Sequence, residues 1–133
     1  IKELTIARMK KTPFVPAQLI KIVRESLEED KAQETVVIDL IGKTSLTDYV
    51  VIASGSSQRH VGAMADHLRL KIKECGIGNV SVEGQSQCNW VLIDVGDIII
   101  HLFRPEVREF YNIEKMWGVS VLGKAEVHRD AAI

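Results

Sequence analysis

The segment WVLIDVGDIIIHLF, from Trp90 to Phe103, restricts this chain more than any other part of it. Two runs rich in β-branched and aromatic residues, 90–95 and 98–103, are separated only by Gly96-Asp97. A glycine there supplies the positive φ that a two-residue hairpin turn demands. The turn fixes the register. Val95 opposes Ile98, Ile93 opposes Ile100 and Val91 opposes Leu102 on one face, because side chains alternate and opposed residues share a side. That face is wholly aliphatic and belongs in a core. The other face sets Asp94 beside Ile99, Leu92 beside His101 and Trp90 beside Phe103. Such a mixed face is either half covered by a C-terminal helix or left open for a partner, since a large exposed apolar patch marks an interaction site. Exposure is expected at the tip from Asp94 to Asp97, where the polar residues gather.

The hairpin needs layers to pack against, and the preceding chain provides them. Leu19, Ile20, Val23 and Leu27 form one apolar stripe of a helix that has Pro16 in its first turn. TVVIDL (35–40) and YVVIA (49–53) are short β-branched runs bounded by turn residues, hence strands. A second and longest helix starts near Ser56 or Ser57, good N-cap residues. It carries Val61, Met64, Ala65, Leu68, Ile72 and Cys75 on its buried face until Gly76 stops it. A short strand around Val80 to Glu83 precedes the hairpin, and Pro105 opens a final helix holding Phe110, Ile113 and Trp117. The helix between Ala53 and Val80 is a crossover that permits a parallel strand pair. The fold class is α/β, a small mixed β-sheet flanked by helices. One domain spans 16–118, with an N-terminal arm at 1–15 and a tail at 119–133.

A chain of 133 residues builds one core and one activity or binding surface. Its net charge of -1 disfavours a partner held mainly through nucleic-acid phosphates, which calls for a basic excess. The basic runs Arg8-Met9-Lys10-Lys11 and Arg69, Lys71, Lys73 read as a terminal arm and the solvated side of a helix. Cys75 and Cys88 form no CxxC pair and lack the histidine spacing of a metal site, which fits reduced thiols in a cytoplasmic compartment. No run approaches the length of a membrane-spanning helix, and nothing at the start resembles a secretory signal.

Motifs with chemical potential are few. Gly42-Lys43-Thr44 resembles the end of a P-loop, but position 37 is Val37 where a glycine is required, so it reads as a turn. Ser54-Gly55-Ser56-Ser57 joins a strand to a helix N-terminus, where free N–H groups and the helix dipole favour an anion, yet no GxGxxG pattern continues from Gly55. Nucleotidyl transfer would also need two carboxylates on a neighbouring strand to hold a metal pair. Asp66 lies inside the second helix, and Asp94 and Asp97 straddle a turn far along the chain. Asp94, Asp97 and His101 have the ligand types for a metal, but His101 lies well down the ladder from the turn. His60 and His67 stand about two turns apart on one helix, too far to share an ion without a third element. No catalytic set, metal or cofactor is expected.

The residues that remain carry a resemblance. Thr44-Ser45, the run from Asp48 to Gly55, Ser57-x-Arg59-His60-Val61, Ala65-Asp66 and Glu83-Gly84 come first. Trp90 to Asp94, Gly96-Asp97, His101, Phe110-Tyr111 and Glu114-Lys115-Met116-Trp117 then follow in order. Together, from about Leu19 to Gly118, they closely resemble the ribosomal silencing factor family, also called Iojap or YbeB-like. The resemblance implies a non-enzymatic translation repressor that binds the large ribosomal subunit at ribosomal protein L-fourteen and blocks joining of the small subunit under starvation. It also implies a nucleotidyltransferase-like fold without catalytic carboxylates, a tendency to homodimerise, and a ribosome-facing surface that includes Trp90, Asp94, Val95 and Asp97, with His101 beside them. Cys88-Asn89 departs from the family pattern of a small residue and an acid before the tryptophan, removing one negative charge near that surface. Two alternatives stand beside this reading. One is an active nucleotidyltransferase using Ser54 to Ser57 for phosphate; the other makes the hairpin face a dimer interface.

Overall fold

The computed structural model describes residues 15–117, and the arm before Val15, Gly118 and the tail at 119–133 lie outside them. Strands β1 (Gln33–Asp39), β2 (Tyr49–Ser54), β3 (Ser81–Glu83), β4 (Trp90–Asp94) and β5 (Ile98–Phe103) form one mixed sheet in the order β1-β2-β5-β4-β3. Helices α1 (Pro16–Glu29) and α2 (Gln58–Glu74) cover one face of it. On the other side lies the shorter α3 (Pro105–Tyr111), followed by a 3-10 turn (Ile113–Trp117).

Each helix starts where its sequence permits. Pro16 opens α1, and the Gln18 carboxamide reaches back to accept from the Val15 N–H at 3.3 Å. The Ser57 hydroxyl caps α2 by accepting from the His60 N–H at 3.0 Å. The expected stripes are the buried ones. Leu19, Val23, Leu27, Val61, Met64, Leu68 and Ile72 are all sealed against Val51, Ala53 and the aliphatic hairpin face. Each such side chain contributes roughly 1.5–3 kcal/mol through burial.

The hairpin register is the expected one, pairing Trp90 with Phe103, Val91 with Leu102, Leu92 with His101, Ile93 with Ile100 and Asp94 with Ile99. Gly96 adopts φ +94 and the Val95 N–H donates to the Ile98 carbonyl at 2.9 Å, which closes the two-residue connection. The parallel pair that the α2 crossover permits does form, but β2 takes β5 as its partner. The chain places β3 and β4 outward before returning, so the long hairpin strand, paired with β2 at six positions, occupies the centre.

The end of the chain departs from expectation. A single final helix was expected, but Asn112 adopts φ 45, ψ 52, and its N–H returns to the Arg108 carbonyl at 2.8 Å. Asparagine tolerates this left-handed conformation, so the helix stops and restarts as a 3-10 turn. Phe110 is consequently 79% exposed, whereas Ile113 and Trp117 pack beneath, against the cluster of Val36, Ile38, Val50, Ile52 and Phe103.

Candidate docking face

The outer face of the hairpin is half covered, and its polar and aromatic groups are organised by one another. The Trp90 indole N–H donates to His101 Nδ1 at 3.0 Å, which puts the imidazole proton on Nε2. The Trp90 ring centre lies 4.8 Å from Phe103 and 5.0 Å from Tyr111, and His101 stacks on Phe103 at an interplanar angle of 9°. Burial pushes His101 down to about 4, so at neutral pH it is an uncharged, fixed acceptor for Trp90.

The approach to Trp90 is equally restricted. A side chain at Gly84, where φ is +87, would put its Cβ 2.1 Å from the Trp90 carbonyl oxygen. Only glycine lets these two backbones lie that close. Asn89, on the other side, accepts at one carboxamide oxygen from Arg104 Nη1 at 2.9 Å and Gln58 Nε2 at 3.1 Å, and Arg104 also pairs with Glu106.

The tip is separate from this aromatic group. Asp94 Oδ1 accepts from the Gly96 N–H at 2.8 Å, and the Asp97 carbonyl accepts from the N–H groups of Asp48 and Tyr49 at 3.0 and 3.1 Å. Asp94 and Asp97 are half-buried. Val95 differs from its expected place on the partner-facing surface: it is 4% exposed and points into the core, as its register with Ile98 requires. Trp90 and His101 therefore come together, Asp94 and Asp97 come together, and Val95 lies beneath. Among the described residues no group of three or more His, Cys, Asp or Glu is arranged to hold a metal ion.

Residues outside the expected set hold the face in place. Arg108 and Glu114 form a buried ion pair, with Arg108 Nη2 and Nε at 2.9 and 3.2 Å from the two carboxylate oxygens, while Arg108 Nη1 donates to the Ser54 hydroxyl at 2.8 Å. This pins α3 and the 3-10 turn to the end of β2 and so holds Tyr111 against Trp90. The signal in the sequence is Asn112 directly after Phe110-Tyr111, which marks the break that brings Arg108 and Glu114 together.

The Ser54 to Ser57 turn has been turned inward. The Ser54 hydroxyl serves Arg108, and the Ser56 N–H donates to His60 Nδ1 at 2.9 Å. With that nitrogen accepting, His60 Nε2 carries the proton and donates to the Asp30 carbonyl at 2.6 Å. His67 completes the clasp on the same residue, its Nδ1 lying 2.8 Å from the Asp30 carboxylate. Through His60 the Ser56 amide ties α2 to the end of α1, and the Ser54 hydroxyl is committed to Arg108.

The family profile described as "Ribosomal silencing factor during starvation" matches residues 14–132, which extends past Gly118 through the segment expected to be a tail. A ribosomal silencing factor of Zymomonas mobilis is 55% identical over 112 residues, covering 84% of this chain and 84% of the relative. A crystal structure of a Chromobacterium violaceum protein superposes with a TM-score of 0.76 at 36% identity, covering 79% of this chain and 88% of that one. A Bacillus halodurans crystal structure does so with a TM-score of 0.69 at 33% identity, over 76% of this chain and 94% of its own. The family consists of ribosome-silencing factors and not of enzymes. With its profile matched along nearly the whole sequence, this chain belongs to the ribosomal silencing factor family.

Proposed function

We propose that this protein is a cytoplasmic translation repressor that binds the large ribosomal subunit at ribosomal protein L-fourteen and sterically blocks association with the small subunit. The observation that carries the reading is the outer hairpin face, where an indole fixed by His101 and flanked by Tyr111 stands on the same strand as the Asp94–Asp97 tip. A held aromatic supplies affinity at a basic protein surface, and the carboxylates at the other end of the hairpin guide encounter. Trp90, Asp94, Asp97 and His101 are the recognition residues, and Val95 contributes by seating the turn. Two bulky proteins cannot occupy one intersubunit surface, so binding alone is enough to stop joining. A homodimer formed through the same face would compete with the ribosome for it.

The test is sucrose-gradient co-sedimentation with separated small subunits, large subunits and whole ribosomes. The protein is expected to travel with large subunits only and to reduce the yield of reassociated ribosomes. Trp90→Ala combined with Asp97→Lys should lose that association while the circular dichroism of the fold is retained. Unchanged affinity of the double variant would sink the assigned face.

The alternative of an active nucleotidyltransferase has less support, because the turn is engaged inward, its Ser56 N–H donating to His60 and its Ser54 hydroxyl accepting from Arg108. Calorimetry with nucleotide and magnesium should register no binding.

A further inference from the structure

The hairpin tip is not alone at its end of the sheet. Asp39 pairs with Tyr49, Tyr49 with Ile98, and Ile98 closes the turn with Val95, so the β1–β2 loop of residues 40–48 leaves the sheet from the same end as Gly96-Asp97. The Asp97 carbonyl ties the two together by accepting from both Asp48 and Tyr49. Within the loop, the Lys43 N–H donates to the Leu40 carbonyl at 2.9 Å and the Leu46 N–H to Thr44 Oγ1 at 3.2 Å. The Ile41 N–H donates to Asp39 Oδ1 at 2.9 Å. A loop so well supplied with hydrogen bonds nevertheless holds two large aliphatic side chains in water: Leu46 is 76% exposed and Ile41 54%.

We infer that the 40–48 loop, through Leu46 and Ile41, is the second half of the docking face and meets the same basic large-subunit protein as the hairpin tip. The inference rests on the proposed function and extends it to a loop outside the expected site. Charge selects the occupant. Asp39, Asp48, Asp94 and Asp97 lie at the same end of the sheet as the two aliphatics, with Lys43 the one cation of the loop. An RNA backbone would be repelled there. A second copy docked through this end would set carboxylates against carboxylates, since a two-fold interface opposes the same patch to itself. A basic protein surface with an apolar recess satisfies both the charge and the aliphatics. Because the loop is already ordered, little further ordering opposes its binding.

The test measures affinity for purified large subunits with Leu46→Asp, Ile41→Ser and, as a control, Leu70→Asp, whose aliphatic is 55% exposed on α2. Leu46→Asp and Ile41→Ser should each weaken binding by about tenfold or more, with melting temperatures unchanged and Leu70→Asp binding as the parent does. Parent-like binding of Leu46→Asp, or an equal loss in Leu70→Asp, overturns the inference and leaves the proposed function standing. Failure of the unmodified protein to bind large subunits removes both. Analytical ultracentrifugation separates the remaining occupant: a self-association lost in Leu46→Asp without loss of ribosome affinity would make the partner a second copy and overturn the assignment.

Discussion

Trp90 is held by a donor bond from its ring and by aromatic neighbours on two sides, and its carbonyl leaves room only for Gly84. His101 makes this arrangement sensitive to acid. Its pKa is about 4 in the folded protein against an ordinary 6.5, because burial disfavours the cation. The native state therefore binds fewer protons than the unfolded chain between those values. The stability contributed by neutral His101 is complete above about pH 6.5 and is lost as the pH falls from there towards 4, by of order 3 kcal/mol in all. Once protonated, Nδ1 can no longer accept from the indole. Urea unfolding midpoints at about pH 7.5 and 4.5 should fall more steeply for the parent than for His101→Gln, and Trp90 fluorescence should shift with the parent's transition. An equal fall in both proteins would remove His101 from the account. The pairing of His101 with Leu92 was readable from alternation along the strand, but its bond to Trp90 was not, because a diagonal contact depends on rotamers that no spacing reports.

At the scale of elements, α3 and its 3-10 turn are too short to be stable alone, and a buried ion pair holds them to the sheet. Arg108→Ala would leave the Glu114 carboxylate buried without its partner, at a cost of about 3–5 kcal/mol. Replacing both, with Arg108→Met and Glu114→Leu, should restore most of the loss, because charge and desolvation are removed together. Thermal melts of the single and double variants check this; a double variant as weak as the single would show that packing, not charge, is what matters. The hairpin was legible down to its register because Gly96-Asp97 fixes loop length and the aliphatic face admits no slip. Arg108 and Glu114 were not, since residues six apart face different ways on a continuous helix. They meet only because Asn112 breaks it.

For the whole molecule, element order and type were legible while the sheet's order was not. Each strand carries its own β-branched run, but nothing local tells β2 to pair with β5 instead of the strand that follows α2. Likewise a net charge of -1 hides how the charge is distributed, with four aspartates brought to one end of the sheet by strands from both halves of the chain. That asymmetry predicts that added salt slows association with large subunits more than it hastens release, since screening acts on encounter between separated charges. Stopped-flow or surface-based kinetics over a range of potassium chloride would check it, and a salt-independent on-rate would argue against a basic partner. The His60 ring has one further consequence. Its two nitrogens join the Ser56 amide to the end of α1, so any redesign meant to give this turn a nucleotide would first have to evict that imidazole and cut the tie between α1 and α2. A change of trade from regulator to enzyme would begin with a loss of integrity.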